Sequence, residues 1–286
     1  MSRTPLYTAL ALVAFAANSL LCRLALSTGV IDPTGFSAVR LVAGAGTLAV
    51  LVRGGRESPA PGASSWISAA LLFFYALPFS FAYTSLSAGT GALLLFGAVQ
   101  VTMILAALRA SERPHPVQWL GLASAFGGLV YLVFPGITAP APGAAGLMLL
   151  AGAAWGLYTL RGTSVRDPLG QTTSNFARTV PMILGVSLLA HRSLHFEPRG
   201  LLLGVLSGAL ASGLGYVLWY QALRGLSKVS ASLVQLGVPI LAAAGGIAFL
   251  GERVSLRFLL ASALVLGGIG LGLLAGSGRL RTHRGN

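Results

Sequence analysis

Ten runs of about 20 predominantly apolar residues follow one another along this chain, and none contains an aspartate, glutamate or histidine. They lie near residues 6–26, 35–52, 66–84, 90–108, 116–134, 144–161, 172–190, 199–223, 229–250 and 256–276. A helix of that length rises roughly 30 Å, the thickness of bilayer hydrocarbon. Barrel strands alternate lipid-facing and lumen-facing residues, whereas these runs are continuously apolar, so helices are expected. Only 9% of residues are charged and the mean hydropathy is +0.81, too little polar surface to cover a water-soluble domain. The expected fold class is therefore an all-α integral membrane protein with ten transmembrane helices. The first run is too long for a cleaved signal and a second follows closely, so it reads as a retained span.

Basic residues set the expected orientation. With the N-terminus inside, Arg3, Arg53, Arg56, Arg109, Arg113, Arg161, Arg166, Arg224, Lys228, Arg279, Arg281 and Arg284 face the cytoplasm, against Arg192, Arg199, Arg253 and Arg257 outside. That is twelve against four, with three of the 19 basic residues inside spans, and it places both termini in the cytoplasm of a bacterial inner membrane. The net charge of +13 is thus a topology signal with a modest attraction to anionic lipid. The basic residues are scattered singly through short loops, so no nucleic-acid partner is expected. Cys22 is the sole cysteine, which excludes an intrachain disulfide and a cysteine-based metal site.

The second half echoes the first. At an offset of 140, Leu93, Gly97, Glu112, Arg113, Ala123, Gly127 and Gly128 meet Leu233, Gly237, Glu252, Arg253, Ala263, Gly267 and Gly268; at 138, Arg23 meets Arg161 and Arg40 meets Arg178. Residues 1–138 and 139–286 then each hold five spans, an odd number, so the second copy enters the membrane from the opposite side. Inverted repeats of this kind place a substrate site near the midplane between the halves.

Tyr220-Gln-Ala-Leu, Ser230-Ala-Ser-Leu, Gly237-Val-Pro239, Leu250-Gly-Glu252-Arg253 and Gly267-Gly268 resemble the second EamA-type repeat of the drug/metabolite transporter superfamily. A fainter copy runs from Tyr83 through Gly97, Glu112-Arg113 and Gly127-Gly128, departing at Val99 where the second has Pro239. The resemblance implies a central cavity formed chiefly by helices 1, 3, 4, 6, 8 and 9. On those helices the candidate substrate-binding residues are Asn18, Tyr75, Phe79, Tyr83, Gln100, Trp155, Tyr158, Tyr216, Trp219 and Gln235, with Ser19, Thr102 and Tyr220 beside them.

Each candidate has a plainer alternative. The amides of Asn18, Gln100 and Gln235 must turn to protein or water, and helix-to-helix contacts satisfy them as well as a cavity does. Tyr83 and Tyr220, late in their helices, also fit an interfacial belt. Tyr75 and Phe79, four apart, and Trp155 and Tyr158, three apart, form aromatic stripes on single helix faces, which suit a lipid-facing surface, core packing or a flat apolar ligand. Arg40 and Arg178 interrupt spans 2 and 7; they snorkel to an interface, cap neighbouring carbonyls, or clamp a carboxylate or phosphate. Arg23, near the end of helix 1, reads as interfacial. Glu112 and Glu252, at loop junctions beside Arg113 and Arg253, suit junction or gating contacts. Pro78, Pro181 and Pro239 are expected to break hydrogen bonds inside helices 3, 7 and 9. Pro78, Gly97, Gly237 and Pro239 are the candidate hinges.

Asp32, Glu57, Glu112, Asp167, Glu197, Glu252, His115, His191, His195 and His283 all fall in loops or at helix ends. A deep proton relay is disfavoured, leaving facilitated transport or coupling through a boundary carboxylate. No HxxxH, HExxH or acidic pair lies in or beside a span, so neither an enzyme, a metal site nor a cofactor is expected. A neutral, aromatic cavity suits an exporter of neutral amino acids, aromatic ones included, working as a monomer. The substrate class rests on the resemblance to aromatic amino-acid exporters of the superfamily. The rival is efflux of amphipathic drugs or other metabolites; a channel and a membrane enzyme are the remote alternatives.

Overall fold

The structure, a computed structural model, describes residues 3–54, 65–109, 116–136, 139–162, 167–226 and 234–282. Among them are ten long helices: α1 (Thr4–Ser27), α2 (Pro33–Gly54), α3 (Trp66–Ala82), α4 (Ala88–Arg109), α5 (Pro116–Val133), α6 (Pro142–Gly162), α7 (Pro168–Leu189), α8 (Pro198–Leu223), α9 (Gly237–Leu250) and α10 (Leu256–Thr282). The class is all-α, as expected. By length and hydropathy α1, α2, α6, α8 and Ala88–Ala106 of α4 can each cross a membrane, while α3, α5, α9 and α10 carry shorter apolar stretches. Leu189, Phe249, Leu188 and Leu120 are 87%, 81%, 74% and 69% exposed. Such outward leucines and phenylalanines suit hydrocarbon and not water.

Helix starts follow local chemistry. Asp32 Oδ1 accepts from the backbone N–H groups of Thr34 and Gly35, each at 2.9 Å, ahead of Pro33 at the first helical position. Asp167 does the same for α7, accepting from Gly170 N–H at 2.9 Å ahead of Pro168. Each cap contributes about 1 kcal/mol, and proline at that position gives up an N–H that has no helical partner. Both helices thus open on Asp-Pro, α2 on one face of the bundle and α7 on the other.

Helix contacts repeat when the halves are exchanged. The α3–α6 contact answers α8–α1, α4–α6 answers α9–α1 and α3–α7 answers α8–α2, while α5–α10, α2–α7 and α4–α9 answer themselves. With five helices in each set, this pseudo-two-fold lies in the membrane plane. A close backbone approach joins the last helices of the sets. A Cβ on Gly121 would stand 2.3 Å from Gly268 O, and one on Gly268 2.5 Å from Gly121 O. Only glycine allows α5 and α10 to cross there.

Two helices depart from expectation. Span 9 is anticipated unbroken over 229–250; its residues 229–233 lie outside the described residues, 234–235 are helical, and a turn at Leu236 interrupts the span before α9 begins at Gly237. Pro239 is therefore the third residue of its helix, where the missing N–H breaks nothing, while Pro78 and Pro181 do lie inside α3 and α7. Helix α8 is interrupted from within: Ser207–Leu214 is wound as a π-helix, the wider winding that recurs at functional sites.

Candidate functional site

Two pockets that share Trp155 and Tyr216 as walls lie at the centre of the bundle, between the halves. The central one is walled by Phe15, Asn18 and Ser19 of α1, Tyr75 and Phe79 of α3, Leu95 and Phe96 of α4, Trp155 of α6, and Ala211, Ser212 and Tyr216 of α8. The second is walled by Ser68, Trp155, Tyr158, Thr159, Gly162, Gln171, Tyr216, Trp219, Tyr220 and Leu223. Ser68 begins α3 while Gly162 and Leu223 end α6 and α8. The second pocket thus reaches the face that carries the start of α1, here the near face; the opposite one is the far face. The central pocket holds about 20 Å³ of free space and the second about 80 Å³, room for little more than water. An organic passenger enters only if the walls move.

Trp155 and Tyr216 line both pockets and form the partition between them. Their ring centroids are 5.2 Å apart, and Trp155 also meets Tyr75 at 4.8 Å and stacks on Tyr158 at 5.4 Å with 26° between the planes. The two aromatic stripes of the sequence, Tyr75 with Phe79 and Trp155 with Tyr158, therefore come together at Trp155. Phe15 extends the cluster to Tyr216 and Trp219, at 6.2 and 5.8 Å.

A polar strand runs behind the central wall. Ser207 Oγ donates to Asn18 Oδ1 at 2.6 Å, and Asn18 Nδ2 donates to Tyr75 OH at 3.2 Å. The same hydroxyl accepts from Arg40 Nη2 at 2.8 Å, while Arg40 Nε donates to Ser212 Oγ at 3.3 Å. The Arg40 guanidinium lies 5.1 Å from the Tyr75 ring centroid and 4.9 Å from that of Phe79, a cation over two aromatic faces. Only 2% of Arg40 is exposed, and its Nη1 has no partner among the described residues. This burial argues against a snorkel to the interface for Arg40, and its hydrogen bonds go to side-chain hydroxyls and not to backbone carbonyls. Its repeat counterpart Arg178 differs: half-buried, it stands 5.6 Å from the ring of exposed Trp66 and lines neither pocket.

The far face is tied shut across the halves. Arg23 Nε donates to Glu252 Oε1 at 3.1 Å, and its Nη1 donates to the carbonyls of Tyr83 and Thr84, both at 3.1 Å. Glu252 also accepts from Ala88 N–H, at 3.1 and 2.9 Å, so its charge caps the positive start of α4. Beside this tie Ile31 and Phe196 form an antiparallel bridge, with Glu197 N–H donating to Val30 O at 2.9 Å and His195 N–H to Asp32 Oδ2 at 2.9 Å. Arg23, read from sequence as interfacial, is a cross-link between halves because its carboxylate partner arrives from 229 positions away. Adjacent Arg253 is not the partner of Glu252. Glu112, the repeat counterpart of Glu252, falls outside the described residues.

Other candidates stand apart from the two pockets. Tyr83 is fully buried and donates its hydroxyl to Ala88 O at 3.2 Å; its ring covers Gly91, where a Cβ would fall 2.4 Å away. It locks the α3–α4 turn and is no interfacial belt residue. Gln100 is 2% exposed on α4, and Gln235 sits in the helical turn before α9. Thr102 bonds back to Ala98 O, and Leu129 presses against Gly97. The α9 helix implied by resemblance as a wall packs instead on α1 and α4, and α7 supplies Gln171. Phe15, Ser207 and Ser212 are additions the sequence reading missed. Phe15 lies three residues before Asn18 on one face, and Ser207 and Ser212 lie five apart, the hydrogen-bond spacing of π-winding.

A model of the EamA-like transporter family matches residues 3–134 and again 143–274. Uncharacterized protein PA1977 of Pseudomonas aeruginosa is 50% identical over 277 residues, covering 97% of this chain and 96% of its own. A solved protein crystal structure, 20% identical, superposes with a TM-score of 0.63 over 93% of this chain and 97% of its own, a likeness of fold. The two matched stretches and the ten-helix architecture lead to one assignment: the chain belongs to the EamA-like transporter family, whose members are multi-pass membrane transporters of small molecules.

Proposed function

We propose that this protein exports neutral amino acids, aromatic ones included, by alternating access, with both termini in the cytoplasm of a bacterial inner membrane. The observation that carries the reading is the cluster around Trp155, where a rigid indole meets Tyr75, Tyr158 and Tyr216 between two pockets. Aromatic faces hold a flat or apolar side chain by offset and edge contacts worth about 0.5–1.5 kcal/mol per pair. The remaining polar wall residues, among them Asn18, Ser19, Ser68, Thr159, Gln171 and Ser212, are all neutral hydrogen-bonding groups, which suit the polar end of a zwitterion. The near face is the cytoplasmic one, where the second pocket receives cargo, and the far-face tie opens outward to release it.

Counterflow into liposomes tests this with labelled phenylalanine, threonine and a lipophilic cation. Phenylalanine is expected to exchange saturably. Trp155→Ala, losing two or three ring contacts, is expected to lower that flux about tenfold or more and threonine flux less. Saturable exchange of the cation alone would favour the drug-efflux alternative and end the amino-acid reading.

A further inference from the structure

We infer that the central pocket is an anion seat, built to take a carboxylate on the hydroxyls of Tyr75 and Ser212 with Arg40 behind them as counter-charge. The inference deepens the transport reading above and rests on it. An arginine side chain has donors only, so the contacts from Arg40 Nη2 to Tyr75 OH and from Nε to Ser212 Oγ fix both hydroxyl oxygens as acceptors. Tyr75 OH accepts from Asn18 Nδ2 as well, which fills both of its lone pairs. Its own proton, and that of Ser212, have no acceptor among the described residues. Both residues wall the central pocket, so two O–H donors polarised by a cation are left for whatever occupies it.

The charge ledger points the same way. A guanidinium buried to 2% exposure is costly without an anion beside it. The four described carboxylates are each engaged elsewhere: Asp32 at the start of α2, Asp167 at the start of α7, Glu197 with His195 and Glu252 with Arg23. Arg40 instead keeps an unpartnered Nη1 against aromatic faces. As the pocket widens for cargo, a carboxylate accepts from Tyr75 and Ser212 and supplies the missing negative charge. The π-wound stretch of α8 is what presents Ser212 to Arg40 and Ser207 to Asn18 at once. The cargo class is an organic carboxylate with an apolar or aromatic body.

Thermal stabilisation of the detergent-purified protein by phenylalanine, 3-phenylpropionate, phenylalaninamide and phenethylamine tests it. The two carboxylates are expected to bind about 10–100-fold more tightly than the two compounds lacking one, the range of charge-assisted hydrogen bonds. Arg40→Gln and Tyr75→Phe are expected to erase that preference while eluting as monodisperse protein. Arg40→Lys, which keeps the charge, is expected to retain part of it. Equal binding of phenylalanine and its amide to the wild type would overturn the anion seat alone. So would an Arg40→Gln protein that melts lower without ligand yet keeps the acid-over-amide preference, since that describes a structural arginine. Indifference of the wild type to all four compounds would overturn the amino-acid reading together with this one.

Discussion

Replacing Glu252 with glutamine is expected to open the far face. The wild-type carboxylate joins Arg23 of the first half and the first N–H of α4, with 14% of its side chain exposed. A glutamine oxygen at the Oε1 position keeps only neutral contacts to Arg23 Nε and Ala88 N–H, its NH2 then faces the Ala88 N–H donor to donor where Oε2 accepted, and the negative charge is withdrawn from both Arg23 and the α4 start. A charge-assisted hydrogen bond contributes about 2 kcal/mol in such a setting, so the balance between closed and open shifts roughly 30-fold. Ser19 reports it. Four residues before Arg23 on one face of α1, it is 1% exposed and walls the central pocket beneath the tie. In a Cys22→Ala background, a cysteine at Ser19 is expected to react with an impermeant maleimide added from the far face at least tenfold faster once Glu252→Gln is present. Equal rates would mean that the tie does not hold the closed state.

The second large effect comes from one methyl group. Gly208→Ala places a Cβ 2.3 Å from the carbonyl oxygen of Arg40 and 2.9 Å from Ala43 Cβ. The obstacle at the shorter distance is backbone, which no rotamer change relieves, so α2 and the π-wound stretch must separate. Overpacking of this kind costs about 1–3 kcal/mol, against a helix-propensity gain of up to about 1 kcal/mol for glycine to alanine. The separation pulls Arg40 from Ser212, so counterflow is expected to fall by more than tenfold along with a lower melting temperature. Gly146→Ala is the control: no atom lies within 4 Å of its added Cβ, and it is expected to melt no lower than wild type. Matching melts for the two variants would show that α2 and α8 are not held at van der Waals limits.

These two sites also mark where sequence reading ends. Helix positions were legible because bilayer thickness imposes one length and one composition on every span. The stripes Tyr75–Phe79 and Trp155–Tyr158 were legible because spacing of three or four fixes a helix face. Which faces meet was not, since it depends on how ten similar apolar cylinders rotate about their axes, and the determinants are glycines such as Gly121 and Gly268 that look alike in sequence. The partnership of Arg23 with Glu252 was hidden for another reason: neighbouring Arg253 offers the same charge at no sequence distance. Arg40 stood open between interface and cavity because only its surroundings, two ring faces and no carboxylate, decide between them. The π-winding of Ser207–Leu214 was not legible, because two serines five residues apart fit an ordinary helix as well.

Alternating access requires the far-face tie to break in every cycle, and a reversible cross-link tests that most directly. In a Cys22→Ala protein, cysteines replacing Arg23 and Glu252 are joined by a short thiol-cleavable reagent, and counterflow in liposomes is measured before joining, after it and after reduction. The account predicts flux falling to the protein-free background on joining and returning on reduction. Undiminished flux through a fully cross-linked population would contradict it.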